Sequence, residues 1–302
     1  MVAMSHSASP VATAEDYAEC RRVMMAASKN YAFASRFLPP RILPHVEALY
    51  ALMRVGDDRV DVSFQGFASS LTAIEDWERV YWRAFETGAS EHPVMRAYLD
   101  TALVFGIPAE IMRPYFRSMK DDLSITRFPA FADLMRYMEG SAAPVGRAMT
   151  YIVGVRPPFT IDDTLPYADS LSYAMQLSNF WRDVGPDYRI GRVYLPLEDM
   201  ARFSVTEDDL AAGRVTQQFI DLLEFEMARA EDYYRHAAQG VKRLAAGSWG
   251  VMAALEVYRA IHESIRRNSY DVFTMRATTT RAQKLGLALR AQWRLALSAR
   301  LI

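Results

Sequence analysis

Cysteine is nearly absent. The chain of 302 residues has one, Cys20, which excludes an internal disulfide and suits a reducing, cytoplasmic setting. Neither sign of charge is in excess, the formal net charge being −1, so the global basic field of a nucleic-acid binder is missing. No apolar run approaches the ~18 residues a bilayer-crossing helix needs. The opening MVAMSHSASPVA has neither a basic n-region nor an apolar h-region, and reads as a frayed start rather than a signal peptide. Five histidines (His6, His45, His92, His236 and His262) show no close pairing of the kind zinc ligation favours. Gly146 and Gly191 stand alone, and no Gly-rich phosphate loop or dinucleotide fingerprint appears.

What the chain does contain is apolar residues at helical spacing. Half of it is apolar and a quarter charged (51% and 24%), enough for a sizeable core. Val46, Leu49, Tyr50 and Met53 recur with helical period after Pro44. Pro93, Pro108 and Pro129 are expected just inside three more helix starts, where a missing N–H costs nothing. Asp162 or Asp163 is expected to cap a helix carrying Leu171, Met175 and Leu177, and Thr206 with Asp209 marks another start. Long amphipathic patterns run over 215–244 and 251–270. The strand-like run 152–155 is too short for a sheet, and 185–186 with 191–196 reads as irregular. No linker or repeat divides the sequence. The expectation is all-α: a frayed start over 1–15, then a single helical domain over 16–302.

Two clusters carry chemistry. In Tyr50 through Asp61, Asp57 and Asp61 are i and i+4, one turn apart on one face, with Arg54 a turn earlier. Like charges at that spacing cost a bare helix about 0.2–0.5 kcal/mol, and a cation between them reverses the sign. More than a hundred residues later, Asp183 and Asp187 repeat the spacing. Gln176, Asn179 and Asp183 fall at i, i+3 and i+7 among apolar Leu177, Phe180 and Trp181. Oxygen-rich sites with an incomplete shell suit Mg²⁺, which takes remaining ligands from substrate phosphates. Pro186 disfavours a continuous helix, at a cost of ~3 kcal/mol, so the helix is expected to end or kink near Val184–Gly185 and re-aim Asp187.

With these and other motifs in order, the sequence resembles the squalene/phytoene synthases over about 28–285. The motifs are Ser28-Lys29-Asn30-Tyr31 with Leu38-Pro39-Pro40, the two aspartate-rich stretches, and Met119 through Asp122-Leu123. Tyr137 with Gly140 through Gly146 follows, then Gly191-Arg192 through Tyr194 and Pro196, and last Tyr270 through Phe273 with Arg276 and Lys284. The sequence departs from the family pattern at Asn30, Ser141, Pro144 and Pro186. The resemblance implies an isoprenoid-synthase-type helical bundle around a central cavity, and head-to-head joining of two prenyl diphosphates through a cyclopropyl intermediate.

The resemblance also implies roles. Asp57, Asp61, Asp183 and Asp187 hold Mg²⁺, or Mn²⁺ in its place. Arg54, Arg182, Arg192 and Arg276, with Ser28, Tyr31, Gln176 and Asn179, meet the diphosphates; Arg suits them because its fork binds phosphate oxygens in pairs. Tyr50, Tyr137, Tyr194 and Tyr258 face the allylic cation. Features of bacterial phytoene synthases favour two C20 donors and phytoene, and Ser35, a small residue beside the expected tail pocket, agrees. Other stretches resemble the squalene branch, from two C15 donors to squalene, dehydrosqualene or hydroxysqualene, with NADPH required only for squalene. A non-catalytic lipid-binding or assembly subunit is the rival from another class.

The remaining features have plain readings. Glu226 to Glu231 look like a solvated face, and the methionines like core filler. The last segment, 272–302, has no Asp or Glu but contains Arg276, Arg281, Lys284, Arg290, Arg294 and Arg300. There Leu285, Leu289, Trp293 and Leu297 form one stripe, expected either to pack on the domain or to touch an anionic membrane. The sequence thus points to a cytoplasmic protein, peripheral to the inner face of the cell membrane in the second case.

Overall fold

The computed structural model describes residues 11–27, 33, 35–61 and 66–298. Ser28, Tyr31, Asn30 and Arg300, and the side chains of Asp61 and Leu297, lie outside the described residues. Among those described, every regular element is helical apart from two isolated bridges, Arg127 with Val193 and Val155 with Leu244. The first half of the strand-like run is the end of a helix that stops at Val153, and Val155 makes one of the two bridges. No helix among the described residues is long and apolar enough to cross a membrane.

The elements in chain order are α1 Ala14–Ala27, α2 Leu43–Asp61, α3 Ser70–Thr87, α4 Pro93–Phe105, α5 Arg113–Asp121, α6 Phe131–Ser141 and α7 Ala143–Val153. Then come α8 Ile161–Arg182, α9 Val184–Arg189, α10 Leu197–Arg202, α11 Glu207–Ala211, α12 Gln217–Val241, α13 Ser248–Arg267 and α14 Arg281–Ser298. Their starts follow local chemistry. Thr206 and Asp209 form the reciprocal capping box that spacing predicts for α11. At α8 the cap is Thr160, and Asp163 closes the box from the third helical position; neither Asp162 nor Asp163 is the cap itself, because Thr160 precedes both in extended geometry. Pro44 and Pro93 lie in first turns. Pro108 instead precedes a short 3₁₀ turn, and Pro129 stands one residue before the α6 cap.

The core is thick in aromatics. Trp77, Tyr81, Tyr98, Tyr115 and Phe116 are fully buried between α3, α4 and α5, each contributing about 2–3 kcal/mol of apolar burial. The Trp77 indole donates to the Leu52 carbonyl at 3.2 Å, tying this layer to α2. On the other side α8 packs along α12, and α7 along α8. Helices α2, α7, α8, α12 and α13 thereby enclose one elongated cavity of about 340 Å³.

Two expectations are corrected here. Glu226 is fully buried, not on a solvated face, because its turn of α12 lies under α10, where Asp199 and Arg229 share a network with it. The described part of the apolar stripe of α14, Leu285, Leu289 and Trp293, faces away from the protein. Lys284, Ala288 and Ala291 are buried instead, and the Trp249 indole donates to the Ala288 carbonyl at 2.8 Å. Alanines allow the closer approach to α13, which turns Leu285, Leu289 and Trp293 outward at 53%, 49% and 71% exposure.

Candidate active site

The first aspartate-rich stretch is the cavity-facing stripe of α2. Val46, Leu49, Tyr50, Met53 and Asp57 line the cavity, at the i, i+3, i+4, i+7, i+11 spacing of one helix face. Asp57 is the cavity's only carboxylate among the described residues, and Gln176 and Asn179 of α8 share its polar end. The Asp57 carboxylate accepts from the buried Tyr115 hydroxyl at 3.5 Å, and that hydroxyl also donates to the Met53 carbonyl at 2.9 Å. A Cβ on Gly56 would fall 1.9 Å from the Tyr115 hydroxyl, so glycine is required where the two helices meet. Tyr115 carries no local sequence signal; only the α2–α5 contact reveals it. Arg54 bonds Asp58 at 2.5 Å.

The second stretch breaks one residue earlier than expected. Helix α8 ends at Arg182, Asp183 adopts a non-helical conformation (φ −106°, ψ 18°), and α9 starts at Val184 with Pro186 in its first turn. There the missing N–H of proline is harmless. The break admits the 272–276 segment: a Cβ on Gly185 would lie 2.6 Å from the Phe273 Cα. That docking delivers Arg276, whose guanidinium donates twice to Asp183 at 3.1 Å. Arg182 also grips Asp183 with both arms of its fork, one at 2.9 Å.

These contacts separate the two acids electrostatically. Burial raises the Asp183 pKa, but hydrogen bonds and charge from Arg182 and then Arg276 outweigh it, leaving the group below its ordinary value. Asp187 is pushed up to about 7, first by burial and then by the negative charge of Asp183, with Arg192 offsetting part. Asp187 lines a small separate pocket with Phe180, Arg192 and Tyr194. Among the described residues no three acidic, His or Cys side chains converge tightly enough to hold an ion unaided.

The tyrosines fall into two groups. Tyr50 lines the cavity. Tyr137 and Tyr194 belong to a buried aromatic stack, with Tyr194 on Phe180 at 3.9 Å and 10°, and Tyr137 6.0 Å from Tyr194. Burial and the Asp122 carboxylate raise the Tyr137 pKa. Asp122, the acid of the Met119–Leu123 element, is thereby a second member of the site not picked out as a site residue from sequence. Tyr258 is buried on α13 within electrostatic reach of Arg182. Nearby Ser178 bonds Tyr234 at 2.8 Å and His262 at 2.9 Å. The loop bearing Arg192 and Tyr194 is pinned by Val193 N–H to the Thr126 carbonyl at 2.9 Å.

Comparison with known proteins gives the family. Residues 24–283 match the squalene/phytoene synthase family profile. The chain belongs to that family. It is 31% identical over 280 residues to the 15-cis-phytoene synthase of Synechococcus elongatus, covering 90% of each chain. The phytoene synthase of Arthrospira platensis is 32% identical, with 89% of each covered. Among solved structures, a dehydrosqualene synthase superposes with a TM-score of 0.85 at 26% identity, covering 93% of this chain and 97% of the other. The squalene synthase of Alicyclobacillus acidocaldarius gives 0.77 at 26% identity, over 85% and 95%. The family, the all-α fold and a prenyltransferase activity are thus those expected from the motifs.

Proposed function

We propose that this prenyltransferase, acting as one helical unit over 16–302, joins two C20 prenyl diphosphates head to head to give phytoene. The observation that carries the reading is the mostly apolar cavity with Asp57, its carboxylate, grouped with the amides Gln176 and Asn179 in the lining. It separates a place for diphosphate from a place for a hydrocarbon tail. Burial there excludes the water that would quench a cation.

In this reading the first donor loses diphosphate with its bonding electron pair. The allylic cation is attacked by the double bond of the second donor, and loss of a proton closes the cyclopropane. The second diphosphate then leaves, the skeleton rearranges, and loss of a second proton gives phytoene; a hydride in its place gives squalene. Asp57 and Asp61, with Asp183 and Asp187, are the residues that would hold Mg²⁺. The set fits: all are hard oxygen donors, and burial beside the Asp183 carboxylate holds the Asp187 pKa above its ordinary value even with Arg192, Arg182 and Arg276 offsetting part, so a further cation would be favoured there. Bound Mg²⁺ neutralises diphosphate charge and polarises the leaving oxygen. Arg54, Arg182, Arg192 and Arg276, with Ser28, Tyr31, Gln176 and Asn179, bind diphosphate. Tyr50, Tyr137, Tyr194 and Tyr258 line the cation's surroundings.

Assay of C15 and C20 diphosphates with and without NADPH tests the product. The expected result is at least about tenfold higher kcat/KM for C20, independent of NADPH. A C15 preference with NADPH dependence would establish the squalene reading, which the likeness to the dehydrosqualene synthase structure supports. No turnover of either donor would leave a lipid-binding subunit.

The exposed Leu285, Leu289 and Trp293, on a helix with exposed Arg281 and Arg290, support peripheral membrane contact, where a hydrocarbon product must go. Basic groups near an anionic surface contribute ~1 kcal/mol each and are screened by salt. Co-sedimentation with anionic vesicles at low salt is expected, lost at high salt and in Trp293→Ser. Equal, negligible binding to anionic and neutral vesicles refutes the contact.

A further inference from the structure

One end of the cavity is bordered by paired backbone. Helices α7 and α8 run antiparallel, and the far end of the cavity is where α7 finishes, α8 begins and α12 finishes. There Val153, Thr164 and Leu244 line it. The chain just beyond α7 is laced to the chain just beyond α12: Ala246 N–H bonds the Val153 carbonyl, Ala245 N–H the Gly154 carbonyl and Arg156 N–H the Arg243 carbonyl, each at 2.9 Å. Such paired backbone does not yield to a few more methyl groups.

Beside this floor stands Tyr167, held on three sides. Its hydroxyl accepts from Arg243 at 3.0 Å, and the same guanidinium lies 4.4 Å from its ring centroid. Its ring stacks on His236 at 4.5 Å and 24°. A Cβ on Gly240 would sit 2.2 Å from the Tyr167 Cβ, so α12 closes directly onto it. Arg243 in turn donates to the Asp163 carbonyl at 2.7 Å, tying the plate to the start of α8. Its neighbour Ala168 lines the cavity with a methyl group only.

Helix α8 is a ruler along the channel. Its lining residues run from Thr164 to Asn179, fifteen positions, or about 22 Å at 1.5 Å per residue. An extended C20 tail reaches about 19 Å, a C15 tail about 14 Å and a C25 tail about 24 Å, from carbon–carbon bonds of ~1.5 Å. Ala168, eleven positions from Asn179, stands about 16 Å along, beyond a C15 tail but within a C20 one. We infer that Tyr167 and the laced floor form a length gauge that admits a C20 tail and rejects C25, with Ala168 as the clearance a C20 tail uses and a C15 tail does not. The inference rests on the reading of the channel as a prenyl-tail site.

The test gives C15, C20 and C25 diphosphates to wild type, Tyr167→Ala, Tyr167→Phe and Ala168→Phe. Products are read by mass, and binding of the matching non-hydrolysable thiolodiphosphates is read by thermal shift. Wild type and Tyr167→Phe, which keeps the ring, are expected to favour C20 and reject C25. Tyr167→Ala, which opens room sideways beside the floor for the end of a longer tail, is expected to raise the C25 to C20 ratio, and Ala168→Phe the C15 to C20 ratio, each at least about tenfold, the scale set by one or more methylenes in a tight pocket. Unchanged length ratios in soluble, active Tyr167→Ala and Ala168→Phe overturn the gauge. If wild type binds the three analogues with this length order but makes no head-to-head product, the catalytic reading fails while the gauge holds. If it binds none of them, both fail. Should Tyr167→Ala not fold, the ratios in Ala168→Phe decide.

Discussion

Asp57→Asn and Asp183→Asn are each expected to lower turnover of prenyl diphosphates by at least about a hundredfold, with far-UV circular dichroism unchanged at the assay temperature. Asparagine keeps the size of the side chain and one acceptor oxygen but removes the charge, so a site that works by balancing diphosphate charge loses function without losing shape. The two variants differ in stability. Asp57 accepts a long hydrogen bond from the Tyr115 hydroxyl, which the amide oxygen of asparagine can still accept, so its substitution should leave the thermal midpoint in place. Asp183 anchors both Arg182 and Arg276, and Arg182 is largely buried, so Asp183→Asn should lower the midpoint as well. Steady-state kinetics below both midpoints separates the effects. Near-native rates in either variant would sink the proposed role of the acid pairs.

The largest stability effect is expected far from the acids. Arg229 donates to Asp199 at 2.8 Å and to both oxygens of Glu226 at 3.1 and 3.2 Å, and its guanidinium lies 3.9 Å from the Phe131 ring centroid. Glu226 and Asp199 are both buried. Removing Arg229 takes its cation away from two buried acid groups, Asp199 and Glu226, so Arg229→Ala is expected to cost about 3–5 kcal/mol. The exposed pair Arg235–Asp232 on the same helix should contribute less than about 1 kcal/mol. Urea unfolding of Arg229→Ala and Arg235→Ala measures the contrast, and similar midpoints would refute it. The cluster also titrates. Burial, with the charge of Asp199 adding to it, pushes Glu226 up to about 8 despite Arg229. Between the ordinary Glu value and about 8 the folded protein therefore holds a proton the unfolded chain has lost, so this group's contribution to stability falls as pH rises through that window. Glu226→Gln should flatten the stability–pH curve there.

The site was legible in the sequence wherever its chemistry is local. Within an unbroken helix a three- or four-residue spacing puts side chains on one face. Thus the α2 stripe ending in Asp57, and the α8 stripe with Gln176 and Asn179, lie where periodicity predicts. The capping box of α11 is equally local. The helix break at Pro186 was visible for the same reason, and only its position moved, because Gly185 must admit the Phe273 backbone.

Tertiary structure decided which distant group answers each local one. Asp183 is claimed by Arg276, 93 residues along the chain, and Tyr115 enters the notch at Gly56 from α5. Glu226 has the same sequence surroundings as a solvated glutamate, and only the placement of α10 over it makes it a buried acid. Helix α14 has two faces that could meet the protein, and periodicity marks the larger apolar one. The alanine face packs instead, because close contact along a whole helix depends on the shape of its neighbour as well as on apolar content. The length of the tail channel belongs to the same class. It is set where the chain after α7 meets the chain after α12, a junction between segments about ninety residues apart that no short-range pattern encodes.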